Sequence, residues 1–300
     1  MIGGNVPKHL VVGARSGFLG AIRRRDYPWQ RVASQFNMSA ASQDLVDLGA
    51  APMPVLSDEA GGLTIQDFIE KSITVKPLSW DITVFISQNA IDDDQTATLQ
   101  RKVASAGDNF QKHINQRVFT VLNGGDGTTF GSAYDGQDFF DSDHVDAGAD
   151  FQTNQDNENT LALSLDNFET VWVAAQAFRD DQGQFTEYAY DLLVAHPTNK
   201  RIAANITGNV QAFDTANREM NPFAGEVQYI TTPEIDSNAW YLIASSESVK
   251  PIILVMRKQP SLQSAWFDPE KPEGGYHIFK FYARYDVVYG DWRLAIQGQT

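Results

Sequence analysis

The spacing of apolar positions changes along the chain, and each change marks a predicted element. Between residues 92 and 123, apolar residues recur every three or four positions, which predicts one long amphipathic helix. Three aspartates at 92–94 suit the positive end of this helix, and Gly124 and Gly125 are expected to end it. The predicted apolar stripe consists of Leu99, Val103, Ala106, Phe110, Ile114, Val118 and Val121.

Apolar and polar residues alternate over residues 63–87, ahead of this helix. The alternation predicts two strands, and the turn at residues 76–79 would join them in a long antiparallel hairpin. A lone two-stranded ribbon is marginal in water, so the hairpin is expected to lie on another surface, such as a second subunit. Its alternating apolar residues are Ile73, Val75, Trp80, Ile82, Val84 and Ile86.

The rest of the chain predicts shorter elements. Residues 1–57 contain four prolines and no sustained repeat, which predicts an extended arm with at most short helical turns. A second helix is predicted at about 165–179, and a short one ends near Ile206. Strands are predicted within 190–197 and near 227–231, 240–244, 251–257, 277–288 and 292–297. Because these elements show no regular βαβ alternation, the predicted fold class is α+β.

Charge divides the chain into a basic beginning and an acidic remainder. The 300 residues carry a formal net charge of −15, yet residues 1–31 hold six basic residues against one acidic residue. The remainder therefore carries −20, which favours an arm that binds an acidic surface, such as another copy of the chain. The residues predicted to make this contact are Arg23, Arg24, Arg25 and Trp29. Binding of DNA by the same residues stays open as an alternative.

The composition disfavours several other classes of protein. The sequence has no cysteine, which excludes disulfides, thiolate zinc sites and cysteine nucleophiles. It has no run of about 18 apolar residues, so no membrane span is predicted. Its first residues do not resemble a secretory leader, so export by that route is not expected.

The glycines at 13, 17 and 20 resemble the dinucleotide motif of short-chain dehydrogenases. Tyr276 and Lys280 supply the Tyr-x-x-x-Lys pair of that family. The motif requires a helix after the glycines, whereas Pro28 would stop one early, and the Tyr-Lys pair falls in a predicted strand. A flexible arm is therefore the preferred interpretation, and no cofactor is predicted.

An acidic segment at residues 138–146 offers weak metal-ligand candidates. Asp141, Asp143 and His144 cluster there, but the segment does not match the calcium-loop template, since Asp146 occupies the required glycine position. A surface loop with internal hydrogen bonds is the preferred interpretation.

Six segments occur in an order that points to one family. The segment YDGQDFFDSDH spans residues 134–144. Before it lie DLGAAPMP (47–54), SITVKPLSWDITVFISQNAIDDD (72–94) and VLNGG (121–125), and after it come AWYLIASSESVKPIILVMRKQPSL (239–262) and FKFYARYDVVYGDWRLAIQG (279–298). Together they resemble the major head subunit of Mu-like tailed phages, the T protein family, over most of residues 27–298.

The resemblance implies the capsid fold first seen in phage Hong Kong 97. That fold has an N-terminal arm, an extended hairpin loop, a peripheral domain built on a long spine helix, and an axial domain. The expected boundaries are 1–57 for the arm, 58–91 for the loop, 92–123 for the spine helix, 92–165 with 250–287 for the peripheral domain, and 166–249 with 288–300 for the axial domain.

The resemblance also suggests where subunits meet. Lys71, Lys76 and Trp80 are expected to make contacts from the extended loop. Asp268 and Lys271 lie in a turn-rich loop that would meet its counterparts near three-fold positions. Some relatives join a loop lysine to a neighbour's asparagine. No asparagine follows position 238 here, so no such bond is predicted.

The implied function is structural rather than enzymatic. Copies would form hexamers and pentamers of an icosahedral virion shell around double-stranded DNA, after assembly in the host cytoplasm. Portal, scaffolding or decoration proteins are further expected partners, DNA contact would be non-specific at most, and no membrane is involved. An encapsulin-like shell that holds protein cargo and the dehydrogenase remain as alternatives.

Overall fold

Helices and strands mix without a regular order in the computed structural model, as the predicted α+β class requires. The structure describes residues 26–48, 70–87, 98–145, 153–208, 221–267 and 276–299. The helices in these ranges are α1 (Trp29–Val32), α2 (Thr98–Asn123), α3 (Leu165–Gln176) and α4 (Lys200–Gly208). The strands are β1 (Ala33–Asn37), β2 (Gln43–Leu48), β3 (Glu70–Val75), β4 (Leu78–Ser87), β5 (Glu158–Asn159), β6 (Leu192–Ala195), β7 (Gln228–Thr231), β8 (Ala239–Ile243), β9 (Ile252–Phe267), β10 (Tyr276–Tyr289) and β11 (Ala295–Gln299).

Helix α2 confirms the predicted long helix over its 26 described residues. At about 1.5 Å per residue it is about 39 Å long. The stripe positions from Ala106 to Val121 are buried, as the repeat predicts. The aspartates at 92–94 lie outside the described residues. At the other end, a Cβ atom on Gly124 would stand 2.7 Å from the Phe130 ring, so the glycine lets that ring close over the helix end.

A four-stranded sheet packs against this helix. Its strand order is β1-β9-β10-β4, and α2 contacts β10. Residues of β10 alternate between buried and half-buried, so one face of the sheet is covered by α2. We call this the helix face; it includes Phe279, Phe281 and Tyr285, and the opposite side of the sheet includes Ile253, Val255 and Val288.

A five-stranded sheet forms the second layer of the core. Its order is β5-β11-β8-β6-β7, and every residue of β6 and β8 is buried. Strands that are buried at consecutive positions must be covered on both faces. Helix α3 contacts β11, and α4 contacts β6 and β7. The predicted strand within 190–197 and the helix that follows it are thus confirmed.

The predicted pairing of the two strands before α2 is wrong. Both strands exist, as β3 and β4, but β3 pairs with β2 and β4 pairs with β10, both antiparallel. The link between β3 and β4 is Lys76-Pro77. A residue before proline favours extended backbone, so this link carries the chain onward instead of reversing it. The hairpin in the structure therefore consists of β2 and β3, joined by residues 49–69, which lie outside the described residues.

Part of the predicted arm belongs to the body of the chain. Residues 1–25 and 49–57 lie outside the described residues, but α1 and β1 fall within the expected arm. Strand β1 pairs in parallel with β9, from Ala33 opposite Ile252. Trp29, Val32 and Ala33 are buried in the main core, because their apolar side chains pack beside α2.

A buried asparagine connects the acidic segment of residues 138–145 to the five-stranded sheet. The Asn157 side chain is completely buried, and its amide nitrogen donates to the carbonyls of Phe139 (2.9 Å), Trp292 (3.2 Å) and Ala295 (3.3 Å). Its side-chain oxygen accepts from the backbone nitrogen of Asp141 at 2.9 Å. One side chain is thus within hydrogen-bond distance of four backbone groups from distant parts of the chain, and its two N–H bonds are shared among three carbonyls.

In the part of the chain that the structure describes, no helix is long and apolar enough to cross a membrane.

Replacing Gly298 with alanine should destabilise the fold. Gly298 lies opposite Trp240 in the β11–β8 pair, and a Cβ atom there would overlap the Trp240 indole. The indole is buried, and its N–H donates to the Leu161 carbonyl at 2.8 Å, so it has no room to move. Gly298→Ala should lower the free energy of unfolding by about 1–3 kcal/mol in urea titrations of the unassembled chain.

Gly127→Ala is the matched control, because a Cβ atom at Gly127 meets nothing within 4 Å. It should change the free energy of unfolding by less than about 0.5 kcal/mol. Equal effects of the two substitutions would contradict the proposed packing of Gly298 against Trp240.

Replacing Asn157 should destabilise the fold, because Asn157 joins the acidic segment to the five-stranded sheet. Asn157→Ala leaves buried backbone groups without partners and should lower the free energy of unfolding by on the order of 3 kcal/mol. Asn157→Asp keeps the shape but turns an acceptor toward three carbonyls, so it should be no more stable than the alanine variant. The exposed Asn154→Ala is the control in the same urea titrations. A stable Asn157→Asp variant would show that shape alone is required.

Candidate functional site

The hairpin of β2 and β3 packs on the side of the four-stranded sheet opposite α2. A small cluster of buried residues joins them: Met38, Val75, Ile253 and Val255, with Leu45, Ile73 and Val288 packed against it. We call this side of the sheet the hairpin face. The base of the hairpin is therefore fixed to the body by apolar contact.

A groove of about 520 Å³ opens between the hairpin and the body. We call it the hairpin groove. Asp44, Leu45 and Lys71 contribute the hairpin side, and Glu247 and Val249 come from the loop after β8. Its lining also includes Phe36, Tyr134, Tyr188, Ile253, Tyr289 and Asp291. The groove thus combines aromatic and apolar surface with three carboxylates and one lysine.

Asp291 organises the base of the hairpin groove. Its carboxylate accepts hydrogen bonds from the hydroxyls of Tyr134 at 3.1 Å and Tyr188 at 3.3 Å, and from the backbone nitrogen of Arg293 at 3.0 Å. Burial, followed by the negative charge of Asp291, raises the pKa of Tyr188, so this phenol keeps its proton and remains a donor. The two tyrosine rings are therefore held in fixed positions.

The Tyr134 ring already attracts cations. The Lys71 ammonium lies 4.6 Å from the ring centre, and the Arg293 guanidinium lies 5.6 Å from it. Both distances suit attraction between a cation and an aromatic face. The contact from Lys71 also ties β3 to the segment after α2.

Two carboxylates of the hairpin groove are available to a partner. Asp44 is exposed, and one of its oxygens accepts from the Thr74 hydroxyl at 2.6 Å. Glu247 is half-buried and close enough to Tyr188 to raise the pKa of that phenol. Within the described ranges, neither Asp44 nor Glu247 forms an ion pair. The groove therefore has unneutralised negative charge.

Apart from Trp80, the predicted contact residues fall into three groups in the structure. Lys71 lines the hairpin groove, and Lys76 is exposed in the link between β3 and β4. Trp29 is only 6% exposed, and its backbone N–H donates to Asn115 at 3.3 Å. It therefore lies in the core of its own chain instead of on the surface that a subunit contact requires. The others, Arg23, Arg24, Arg25, Asp268 and Lys271, lie outside the described residues.

Trp80 is engaged within its own chain. Its indole N–H donates to the Tyr285 carbonyl at 3.0 Å, and its ring centre lies 4.4 Å from that of His113 on α2. Burial, and then the charge of Arg117, lower the pKa of His113, which favours its neutral form beside the two aromatic rings. These contacts fix β4 to α2. The alternation thus predicted the correct buried face of this strand but not its partner.

The metal candidates do not form a ligand cluster. His144 is buried, with Nδ1 2.6 Å from Asp135 and Nε2 3.2 Å from Asn157, and its ring stacks on Trp292. Asp143 is exposed and accepts from the Gln137 side chain at 3.1 Å. Among the described residues no group of three acidic or histidine side chains is arranged to hold a metal ion. The segment of residues 138–145 therefore attaches to the fold through internal hydrogen bonds.

The residues offered for the dehydrogenase alternative do not form that family's site. Tyr276 and Lys280 lie on strand β10, not on a helix. Four residues of strand separate them by about 13 Å, whereas one helical turn would place them side by side. The glycines at 13, 17 and 20 lie outside the described residues.

Several residues that define the site were not predicted as site residues. Glu247 follows β8, Asp291 follows β10 and Tyr188 precedes β6, so only the folded chain brings them to one groove. Tyr134 begins the Tyr-Asp-Gly segment, so its motif was a usable signal. Glu247 and Asp291 fall within the family-like segments 239–262 and 279–298, but nothing in those segments marks them as site residues, and Tyr188 lies in none of the six segments.

Comparison with known proteins agrees with this architecture. A family model described as phage capsid protein matches residues 70–297, which include α2 and nearly all of both large sheets. The Mu-like prophage FluMu major head subunit of Haemophilus influenzae is 23% identical over 290 residues, covering 96% of this chain and 71% of that protein. Both matches favour a phage head protein over an encapsulin-like shell.

Solved structures show the same fold. The procapsid subunit of bacteriophage JBD30 has 18% identity and a TM-score of 0.50, covering 98% of this chain and 74% of that one. The mature capsid of bacteriophage PhiM1 has 9% identity and a TM-score of 0.58, covering 92% and 87%. The fold is therefore the Hong Kong 97 type, and the chain belongs to the phage capsid protein family.

Proposed function

We propose that this chain is the major capsid protein of a tailed double-stranded DNA phage and that copies of it form the icosahedral head. The observation that carries the proposal is the family match over residues 70–297. Assembly into hexamers and pentamers agrees with the likeness to subunits of capsid assemblies. The chain then acts in the virion, after assembly in the host cytoplasm, and has a structural rather than a catalytic role.

The arrangement of sheets supports a division into peripheral and axial domains, with revised boundaries. We assign α2 and the four-stranded sheet to the peripheral domain, which adds β1 and β4 to the expected ranges. We assign α3, α4 and the five-stranded sheet to the axial domain. We place the extended loop at residues 43–75 instead of 58–91, because β2 and β3 are the strands that pair.

The net charge bears on the proposed partners. At −15, the chain repels DNA overall, so contact with packaged DNA would be confined to basic segments and would not depend on base sequence. Portal, scaffolding or decoration proteins would contact assembled copies rather than a site within one chain.

One exposed apolar residue suggests a contact between subunits. Phe85 on β4 is 65% exposed, and β4 is at an edge of its sheet among the described strands. Burial of a phenylalanine side chain contributes about 1.5–3 kcal/mol, which is a strong reason for a shell protein to cover it. We propose that Phe85 is buried when copies associate.

The purified chain is expected to associate without any other protein. Sedimentation velocity of a DNA-free sample at rising concentration should show six-copy and larger species, since assembly is linked to concentration by mass action. Native particles should in addition protect DNA from nuclease. A chain that sediments as one or two copies at every concentration would count against the proposal, and native shells that contain protein cargo but no DNA would favour the encapsulin-like alternative.

Replacing Phe85 should weaken association without weakening the fold. Phe85→Thr keeps a good strand former on an exposed position, so the free energy of unfolding should change by less than about 0.5 kcal/mol. The concentration at which larger species appear should rise by at least about tenfold, because roughly 1.5 kcal/mol of burial is lost at each contact. Thr83→Ala, also exposed on β4, is the matched control. Unchanged sedimentation of Phe85→Thr would remove Phe85 from the interface.

A further inference from the structure

We infer that the exposed side of helix α2, together with a groove beside it, contacts the phosphate backbone of double-stranded DNA. The assignment rests on the proposed function, because the proposed shell encloses such DNA. It goes further by naming the side of the chain that meets the DNA and the side chains that make the contact.

Helix α2 has an excess of positive charge in an acidic chain. It contains four basic residues against one acidic residue, a formal charge of +3, whereas the whole chain carries −15. The acidic residue, Asp108, is half-buried, and the described positions that are exposed on α2 contain no carboxylate. We call these positions the outer row: Arg101, Lys102, Ser105, Asn109, Lys112, Gln116 and Thr120.

The outer row has the chemistry of a phosphate-binding surface. All seven of its side chains carry hydrogen-bond donors, and basic, amide and hydroxyl side chains are the ones that contact phosphate in protein–DNA complexes. Lys102 and Lys112 are about 15 Å apart along the helix, which corresponds to about four phosphates of one DNA strand. Neither lysine forms a salt bridge with another described residue, so both charges are available to DNA.

A groove of about 370 Å³ between α2 and β4 continues the outer row. We call it the α2–β4 groove. Asn109, Lys112 and Gln116 line its α2 side, and Trp80 and Ile82 line its β4 side. Three members of the outer row thus surround a concave surface in which a phosphate group can be held by several donors at once.

His113 adds another donor to the α2–β4 groove. The Tyr285 hydroxyl lies 2.5 Å from Nδ1 of His113. Burial raises the pKa of Tyr285, and burial followed by the charge of Arg117 lowers the pKa of His113, so the phenol keeps its proton and the imidazole is neutral. The hydroxyl therefore donates to Nδ1, which leaves the imidazole proton on Nε2 as the donor that His113 offers to a ligand. Asp81 also lines the groove, but its carboxylate is paired with Lys280 at 3.5 Å.

DNA binding at several salt concentrations tests the inference in the full chain, with a short fluorescent duplex as the probe. The Lys102→Gln, Lys112→Gln double variant should lower the slope of log affinity against log salt concentration by about 2, because each lysine on a phosphate contributes about 0.9. The control is Lys76→Gln, Lys258→Gln, which removes equal charge from exposed lysines that are neither on α2 nor in the groove. It should leave the slope close to that of the unsubstituted chain. Equal slopes for the two double variants would overturn the inference.

A carboxylate placed in the α2–β4 groove should repel DNA. Gln116→Glu should raise the Kd for the duplex by about fivefold at low salt, which is the effect of one like charge near a phosphate in water. Gln263→Glu adds the same charge at an exposed position of β9, opposite Lys280, and should have a much smaller effect. If both glutamates weaken binding equally, net charge and not the groove governs DNA binding, and the groove is removed from the surface.

The absence of cysteine allows the contact to be mapped directly. An iron chelate attached to Asn109→Cys should cut the bound duplex when peroxide and ascorbate are added. The same chelate on Ser79→Cys, which is exposed on the side of β4 opposite Trp80, should cut it far less. Cutting of equal strength from both positions would contradict the assignment of the DNA to the α2 side.

The remaining outcomes separate this inference from the proposed function. Larger species in sedimentation, together with DNA binding that the lysine variant leaves unchanged, would overturn the inference and leave the proposed function standing. Absence of larger species for the unsubstituted chain would instead contradict the proposed function. Displacement of the duplex by inorganic phosphate at the same phosphate concentration would show a site for small anions, which would overturn the assignment to DNA.

Discussion

The packing of helix α2 against one face of β10 is the contact on which the rest of the fold depends. The stripe of α2 and the alternating residues of β10 form the centre of the main core, which extends into the five-stranded sheet. Tyr289, at the end of β10, donates to the carbonyls of Val121 at 2.9 Å and Gly124 at 3.1 Å, where α2 ends. These hydrogen bonds thus hold the end of α2 beside the end of β10, where the chain crosses to the five-stranded sheet.

This contact leaves the other face of the four-stranded sheet available. A sheet that buries only one face on its helix can use the opposite face for another element. Here the hairpin covers the part near Val288, and the hairpin groove forms beside it. The groove is therefore a consequence of how the two sheets and the hairpin meet, and its lining is aromatic and acidic.

The sequence predicted the elements with a local repeat. Helix α2 and strand β10 each display a repeat that can be recognised within one short window, so their existence and buried faces were predictable. The pairing of the strands was not predictable. Strand β4 pairs with β10, about 200 residues later in the chain, and nothing in the alternation of Trp80 and Ile82 identifies that partner. The local Lys76-Pro77 link was taken for a turn, although its proline favours extended backbone before it.

The candidate site was predictable only in part, for the same reason. Lys71 and the Tyr-Asp-Gly segment at Tyr134 were marked by position and motif, and the structure brings them into contact. Glu247 and Asp291 are ordinary acidic residues in sequence and acquire a role only from the strands that precede them. Trp29 was taken for a surface anchor because aromatic residues beside arginines suit an interface, but its apolar neighbours fold it into the core.

If this chain is a shell-forming subunit, electron microscopy of the purified, DNA-free protein should show closed shells or six-fold rings. A uniform field of single or paired copies, under conditions in which the chain is folded, would contradict the shell-forming role.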